Sequence, residues 1–89
     1  MTREQVMITN KLGLHARAAA KVVHTASAFE AEIYIGTEHE EVNAKSILGI
    51  LTLAATKGTP LIVRADGVDE KAAVEAIVAL FADKFGEGQ

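Results

Sequence analysis

The sequence predicts an α+β domain in which three helices cover one face of a four-stranded sheet, with the elements in the order β-α-β-β-α-β-α. Apolar residues at alternate positions indicate the strands, and apolar residues that recur every three or four positions indicate the helices. Size is the third observation, because 89 residues of which 49% are hydrophobic make one domain with a modest core. We therefore expect a single domain over residues 1–89.

The first strand and the first helix are predicted in the N-terminal third of the chain. Val6 and Ile8 alternate with other residues, which indicates a half-buried strand over residues 4–9. A helix is predicted to begin at or just after His15 and to continue through the alanine-rich residues 16–28. Its small side chains at helical spacing form a stripe that we expect to pack closely on the sheet: Ala16, Ala19, Ala20, Val23 and Ala26.

The middle of the chain predicts two strands and a second helix. Residues 31–36 alternate between two isoleucines on one face and Tyr34 on the other. A turn then leads into a short partner strand over residues 39–43. Ser46 is a good N-cap for the second helix, and Lys57-Gly58 is expected to end that helical region.

The last strand and the last helix complete the predicted order. Apolar residues alternate at Leu61, Val63 and Ala65. This strand begins at Pro60, a residue that suits an edge strand or the first position of a strand. Asp69 is expected to cap the last helix, whose apolar stripe is the clearest in the chain: Ala73, Val74, Ile77, Leu80 and Phe81. This order also fits a ferredoxin-like domain with one added helix.

Composition excludes several kinds of function. The chain has no cysteine, which excludes a disulfide framework, a thiolate metal site and a cysteine nucleophile. His24 lies about 180° around the predicted helix from His15, so these two side chains cannot share a metal, and we expect neither a metal nor another cofactor. The net charge of −3 gives no reason to expect a nucleic acid. With no apolar run of membrane-spanning length and no signal peptide, we expect a cytoplasmic protein.

The most informative stretch for chemistry is residues 10–17, Asn-Lys-Leu-Gly-Leu-His-Ala-Arg. Gly13 can adopt the positive φ of a tight turn before the helix. Three backbone amides at the helix start have no intrahelical acceptor and, with the positive helix end, favour an anion: those of Ala16, Arg17 and Ala18. A neutral imidazole can take up a phosphoryl group, and Arg17 can pair with phosphate in bidentate fashion. The stretch therefore predicts a phosphohistidine at His15.

The segment Gly13-Leu14-His15-Ala16-Arg17 resembles the active-site segment of the HPr family, the small histidine phosphocarriers of the bacterial phosphotransferase system. Three further segments are similar to runs of that family in the same order: residues 42–49, 54–59 and 65–70. Residues 8–13 and 79–81 also resemble the nitrogen-branch paralogue of that family. The resemblance covers the whole chain and implies an open-faced β-sandwich with an antiparallel sheet. Ala18 is a departure, since the family commonly has proline there.

The resemblance implies a phosphoryl carrier rather than an enzyme. Enzyme I, itself phosphorylated from phosphoenolpyruvate, would donate to His15, and an EIIA-type protein would receive the group. Arg17 would neutralise the phosphoryl oxygens, and the family's acceptor atom is the ring Nδ1. Ser46 matches a serine that HPr kinase/phosphorylase modifies in bacteria that possess that enzyme. The expected docking surface of this monomer consists of Leu14, Lys21, Lys45, Ile47, Leu48 and Leu51.

Other interpretations of the same residues stay open. A regulatory interaction module would use the Ser46 face to bind a kinase or a transcription factor without carrying a phosphoryl group at His15. The N-cap role of Ser46 would alone account for that serine, and core packing would account for the leucines of the docking surface. The sequence does not distinguish sugar uptake, nitrogen signalling and regulation without a transporter.

Overall fold

A computed structural model describes residues 1–87, and its helices and strands follow the predicted order. The strands are Thr2–Met7 (β1), Glu32–Gly36 (β2), Glu41–Asn43 (β3) and Pro60–Asp66 (β4). The helices are Ala16–Ser27 (α1), Ile47–Thr52 (α2) and Glu70–Ala82 (α3). A short 3₁₀ turn, Lys84–Gly86, follows α3 and brings the chain back towards the start of α1.

The four strands form one sheet in the order β1-β4-β2-β3, and every neighbouring pair is antiparallel. Val6 lies opposite Leu61, and Ile35 lies opposite Val63. The predicted antiparallel sheet with three helices is confirmed. The ferredoxin-like alternative is excluded, because β4 separates β1 from β2 where a ferredoxin-like sheet would have β3.

The core lies between the sheet and the helices. Its largest fully buried side chains include Ile33, Ile35, Leu61 and Val63 from the sheet, and Val22, Ile50, Val74, Ile77 and Phe81 from the helices. The other face of the sheet carries polar groups. There the guanidinium of Arg64 stacks 4.3 Å from the ring centroid of Tyr34 and forms a bidentate pair with Glu41. The alternation predicted for β2 and β4 is therefore confirmed.

The buried stripe of α1 differs from the predicted one. The buried residues of this helix are Ala18, Ala19, Val22 and Ala26. Two predicted members, Ala16 and Ala20, are exposed, and Val23 is half-buried. Alanine is tolerated on both faces of a helix, so an alanine-rich segment does not reveal by itself which face turns inward. The larger side chain of Val22 occupies the centre of the inward face.

Several element boundaries also differ from the prediction. β1 ends at Met7, although Ile8 just beyond it is buried. β3 begins at Glu41, because the preceding residues form a turn in which the Thr37 hydroxyl accepts two backbone N–H groups. α2 ends at Thr52, well before Lys57-Gly58, and the chain leaves the helix through Ala54 with a left-handed φ of 48°.

Asp69 occupies the N-cap position of α3, but its side chain does not cap the helix. Its carboxylate instead accepts the backbone N–H groups of Glu30 and Ala31, each at 2.9 Å. These hydrogen bonds, first that of Glu30, hold the pKa of Asp69 below its ordinary value. The carboxylate thus ties the start of α3 to the segment that leads into β2, and the predicted capping bond was wrong.

Candidate functional site

The turn before α1 is held by the segment that follows α2. Gly13 has a φ of 68°, and the N–H of Leu14 donates to the carbonyl oxygen of Ala55 at 3.0 Å. A Cβ on Gly13 would lie only 2.6 Å from that same carbonyl oxygen. Both the positive φ and the close approach therefore require glycine. The turn fixes the direction in which the chain enters α1, and with it the position of His15.

His15 is the N-cap of α1, with extended backbone angles of φ −82° and ψ 177°. Its ring Nδ1 accepts the backbone N–H of Arg17 at 3.3 Å. The amides of Ala16 and Ala18 have no acceptor within residues 1–87. The predicted arrangement of these three amides at the helix start is therefore present, and the imidazole stands over the positive end of a 12-residue helix.

The opposite edge of the imidazole contacts a carboxylate that sequence reasoning missed. His15 Nε2 is hydrogen-bonded to Glu87 Oε2, and Asn10 Nδ2 donates to Glu87 Oε1 at 2.9 Å. Burial would raise the pKa of Glu87, but the hydrogen bonds from Asn10 and His15 and the charge of Lys21 outweigh it and lower that pKa. Glu87 therefore faces the ring as a carboxylate.

A cleft of 690 Å³ opens beside the ring and brings together three cationic side chains. Its lining consists of Lys11, Leu12, His15, Arg17, Lys21, Gly86 and Glu87. Lys21 also donates from Nζ to the carbonyl oxygen of Phe85, which joins α1 to the C-terminal turn. A concave site with three cations and free helix amides suits an anion of phosphate size next to Nδ1.

Four residues of the expected docking surface make contacts within the fold. Leu14 is only 5% exposed and belongs to the core, so its expected place on the surface was wrong and the packing alternative holds for this residue. Leu51 is half-buried against the core. Lys45 is also half-buried, and its Nζ donates to the carbonyl oxygen of Phe29 at 2.8 Å. The other predicted lysine, Lys21, donates to the carbonyl oxygen of Phe85, so neither lysine is a fully free surface charge.

The apolar residues that do reach solvent are Leu12, Ile47 and Leu48. Ile47 and Leu48 are 43% and 76% exposed at the start of α2. Leu12 was missed by the sequence reasoning, although it is 68% exposed and lines the cleft of His15. Its position in a turn, outside any strand or helix stripe, was the only signal that it would remain outside the core.

Ser46 begins α2 as predicted. Its Oγ accepts the backbone N–H of Gly49 at 3.1 Å, which is the expected N-cap bond. The side chain is half-buried and does not line the cleft of His15. The hydroxyl therefore has a structural role at the helix start, separate from the histidine site.

Two kinds of feature are absent from the part of the chain that the structure describes. Within residues 1–87, no three His, Cys, Asp or Glu side chains are grouped so that they could hold a metal ion. No helix in that range is long and apolar enough to cross a membrane.

Comparison with known proteins gives matches over nearly the whole chain. Residues 2–83 match the family model described as "PTS HPr component phosphorylation site". The phosphocarrier protein HPr of Xylella fastidiosa is 49% identical over 87 residues, 98% of each chain. The phosphocarrier protein NPr of Shewanella violacea is 47% identical over 83 residues, 93% of this chain and 91% of the relative. The crystal structure of HPr-C-His from Thermoanaerobacter tengcongensis superposes with a TM-score of 0.94 at 45% identity, covering 98% of each chain.

Proposed function

Because the chain belongs to the HPr family of phosphocarriers of the phosphotransferase system, we propose that His15 accepts a phosphoryl group from phospho-enzyme I and passes it to an EIIA-type protein. The observation that carries this proposal is the position of Nδ1, which faces the amides at the start of α1 next to Arg17. This arrangement places a nucleophilic lone pair where a phosphoryl group would be met by hydrogen-bond donors and by the helix dipole.

In this chain, the groups that would touch the transferred phosphoryl group are the His15 ring, the Arg17 guanidinium and the amides at the start of α1. The Nδ1 lone pair forms a bond to phosphorus while the bond between phosphorus and the donor atom breaks. The donor atom keeps the electron pair of the broken bond, and the proton on Nε2 of His15 stays in place. In the second transfer His15 is the donor: the Nδ1–phosphorus bond breaks as the acceptor's nucleophile bonds to phosphorus, and Nδ1 regains its lone pair. Such a step depends on positioning and on charge stabilisation more than on acid–base chemistry.

Arg17 and the free amides take the charge of the phosphoryl oxygens in this proposal. The 3.3 Å bond from the Arg17 N–H to Nδ1 is long for a hydrogen bond, so this donor can turn to a phosphoryl oxygen once Nδ1 is occupied. The amides of Ala16 and Ala18 supply further donors, and the Arg17 guanidinium can bind two oxygens at once.

We further propose that partners dock on the apolar residues around this site. Leu12, Ile47 and Leu48 supply exposed apolar area, and Lys11 and Lys21 supply positive charge at the cleft. Phosphorylation of Ser46 by a kinase of the HPr kinase/phosphorylase type would add about −1.5 to −2 charges near this surface. That charge would repel an acidic partner and slow acceptance at His15.

Incubation with phosphoenolpyruvate and enzyme I tests the acceptor assignment. The wild-type chain is expected to gain one acid-labile phosphoryl group by intact mass, and His15→Ala is expected to gain none while keeping its far-UV circular dichroism. His24→Ala is the matched control, because His24 is exposed in the last turn of the same helix. Phosphorylation of the His15→Ala variant would refute the assignment.

Ionic strength tests the mechanism proposed for Ser46. Ser46→Asp should accept the phosphoryl group more slowly than Ser46→Asn, which places a neutral side chain of similar size at the same N-cap. The difference should shrink as salt is raised, because screening weakens charge repulsion between proteins. A defect that is equal at all ionic strengths would contradict repulsion as its cause.

A further inference from the structure

The hydrogen bonds around His15 define where its ring proton lies. A backbone N–H can only donate, so Nδ1, which accepts from Arg17, carries no proton in this arrangement. The ring proton is therefore on Nε2, where it is donated to the Glu87 carboxylate. Glu87 thus contacts the Nε2 edge of the imidazole and the Arg17 amide contacts the Nδ1 edge, although Glu87 also lines the cleft. Only the Nδ1 lone pair faces the site.

The chain reaches this position through a strained turn. Lys84, Phe85 and Gly86 have left-handed φ values of 54°, 55° and 76°. Left-handed backbone is unfavourable for the two non-glycine residues and persists only where the surroundings enforce it. Phe85 enforces it, since its ring is 1% exposed and lies edge-to-face on Phe81 with a centroid distance of 4.9 Å. The turn reverses the chain and delivers Glu87 to the ring.

Asn10 holds the carboxylate from the other side. Its side chain is fully buried, and Nδ2 uses its two N–H groups on Gly13 O and Glu87 Oε1, both at 2.9 Å. Its Oδ1 is buried without a hydrogen-bond partner in residues 1–87. A buried oxygen without a hydrogen bond destabilises the fold. In this orientation, the Asn10 amide leaves Oδ1 unbonded but makes both Nδ2 hydrogen bonds, to Gly13 and to Glu87.

From these contacts we infer that Glu87 is a positioning residue for phosphoryl transfer, fixing the His15 tautomer whose free lone pair is on Nδ1, and that Asn10 fixes Glu87. This inference rests on the proposed transfer at His15. When Nδ1 bonds to phosphorus, the ring keeps its Nε2 proton and gains positive charge, which the carboxylate stabilises. On return of the group, the charge disappears and the lone pair reappears on Nδ1.

The tautomer can be measured without any phosphorylation. Ring ¹⁵N shifts of unphosphorylated protein in mildly alkaline solution should show the proton on Nε2 in the wild type. Glu87→Ala should raise the population with the proton on Nδ1, whereas Glu87→Gln keeps an acceptor oxygen and should retain the wild-type pattern. Asn10→Asp, which sets a second carboxylate against Glu87, should resemble Glu87→Ala.

Transfer kinetics provide the second readout. Glu87→Ala should accept the phosphoryl group about 10- to 100-fold more slowly at saturating enzyme I, the range observed when an orienting group behind a metal-bound imidazole is removed. Its half-saturating enzyme I concentration should not change, because the Glu87 side chain is only 14% exposed and offers a partner little surface. Glu75→Ala, an exposed glutamate on α3, is the matched control.

Two results would overturn the inference: wild-type ring shifts in Glu87→Ala, or transfer by Glu87→Ala as fast as by Glu75→Ala. Neither result would affect the acceptor role of His15, which the His15→Ala variant tests separately.

Discussion

Replacing Ala18 by proline should preserve phosphoryl acceptance and raise the melting temperature. Ala18 is the third residue of α1, and its N–H has no acceptor within residues 1–87, so proline removes no hydrogen bond there. Ala18 is fully buried, but the proline Cδ replaces the amide hydrogen, which in a helix points along the axis towards the N-terminus and not sideways towards the packed face. Overpacking of the core is therefore not expected.

The size of the gain follows from the unfolded chain. Proline restricts unfolded conformations and stabilises by about 0.4–1 kcal/mol where the native backbone suits it. For a domain of this size, that free energy corresponds to a rise of about 2–8 °C in melting temperature. Circular dichroism melts would measure the rise. Phosphorylation by enzyme I would show that the Arg17 guanidinium and the two remaining amides, those of Ala16 and Arg17, suffice without the Ala18 N–H.

Ala19→Pro is the matched control one residue further along the helix. The N–H of Ala19 donates to His15 O at 2.9 Å, and a proline ring would clash with that carbonyl group. We expect a loss of roughly 3 kcal/mol and a melting temperature lower by more than about 10 °C. A melting temperature of Ala18→Pro clearly below that of the wild type, or a loss of phosphoryl acceptance, would contradict a dispensable Ala18 N–H.

Three further predictions concern single contacts. Ser46→Ala should lose about 0.5–2 kcal/mol in urea unfolding because the Gly49 N–H loses its cap, whereas Ser46→Asp should not. Gly36→Ala should lose about 1–3 kcal/mol in the same assay, since its Cβ would lie 2.1 Å from the carbonyl oxygen of Glu40. The Met1 amino group, with Thr2, lowers the pKa of Glu70 from 4.5 to about 2. The contribution of ionised Glu70 to stability is therefore present above pH 4.5 and is lost as the pH falls towards about 2. Over this pH range, the melting temperature of the wild type should fall more steeply than that of Glu70→Gln. Parallel curves for the two proteins would contradict the assignment.

The order of strands and helices could be predicted because the spacing of apolar residues within each element indicates its type. Leu61, Val63 and Ala65 specify a half-buried strand without reference to any other part of the chain. The inward face of α1 could not be predicted in the same way, since alanines fill both faces. Asp69 was predicted as a cap from local spacing, but its partners are the amides of Glu30 and Ala31, far away in sequence. Long-range partners of a short polar side chain leave no periodic signal.

In the histidine site too, residues close in sequence could be predicted and residues brought together by tertiary structure could not. His15, Arg17 and the helix amides lie within one short segment, so their proximity follows from the helix itself. Glu87 and Asn10 meet only because left-handed residues reverse the chain after α3. Two consecutive non-glycine residues in that conformation are enforced by tertiary packing of Phe85, which local propensity does not indicate. The glycine at position 86 was the one local sign of a turn there.

The central position of β4 also determines the order in which the sheet can assemble. β2 and β3 are joined by a short turn and can pair early, and β4 can then add to β2. β1 is an edge strand whose one neighbour in the sheet is β4. Thr2 and the rest of β1 can therefore pair only after β4 and its Ala65 are in position. Pairing across such a separation is slow because loop closure precedes any gain from contacts. We therefore expect the first strand of the chain to join the sheet last, so that substitutions in β1 accelerate unfolding more than they slow folding in stopped-flow measurements.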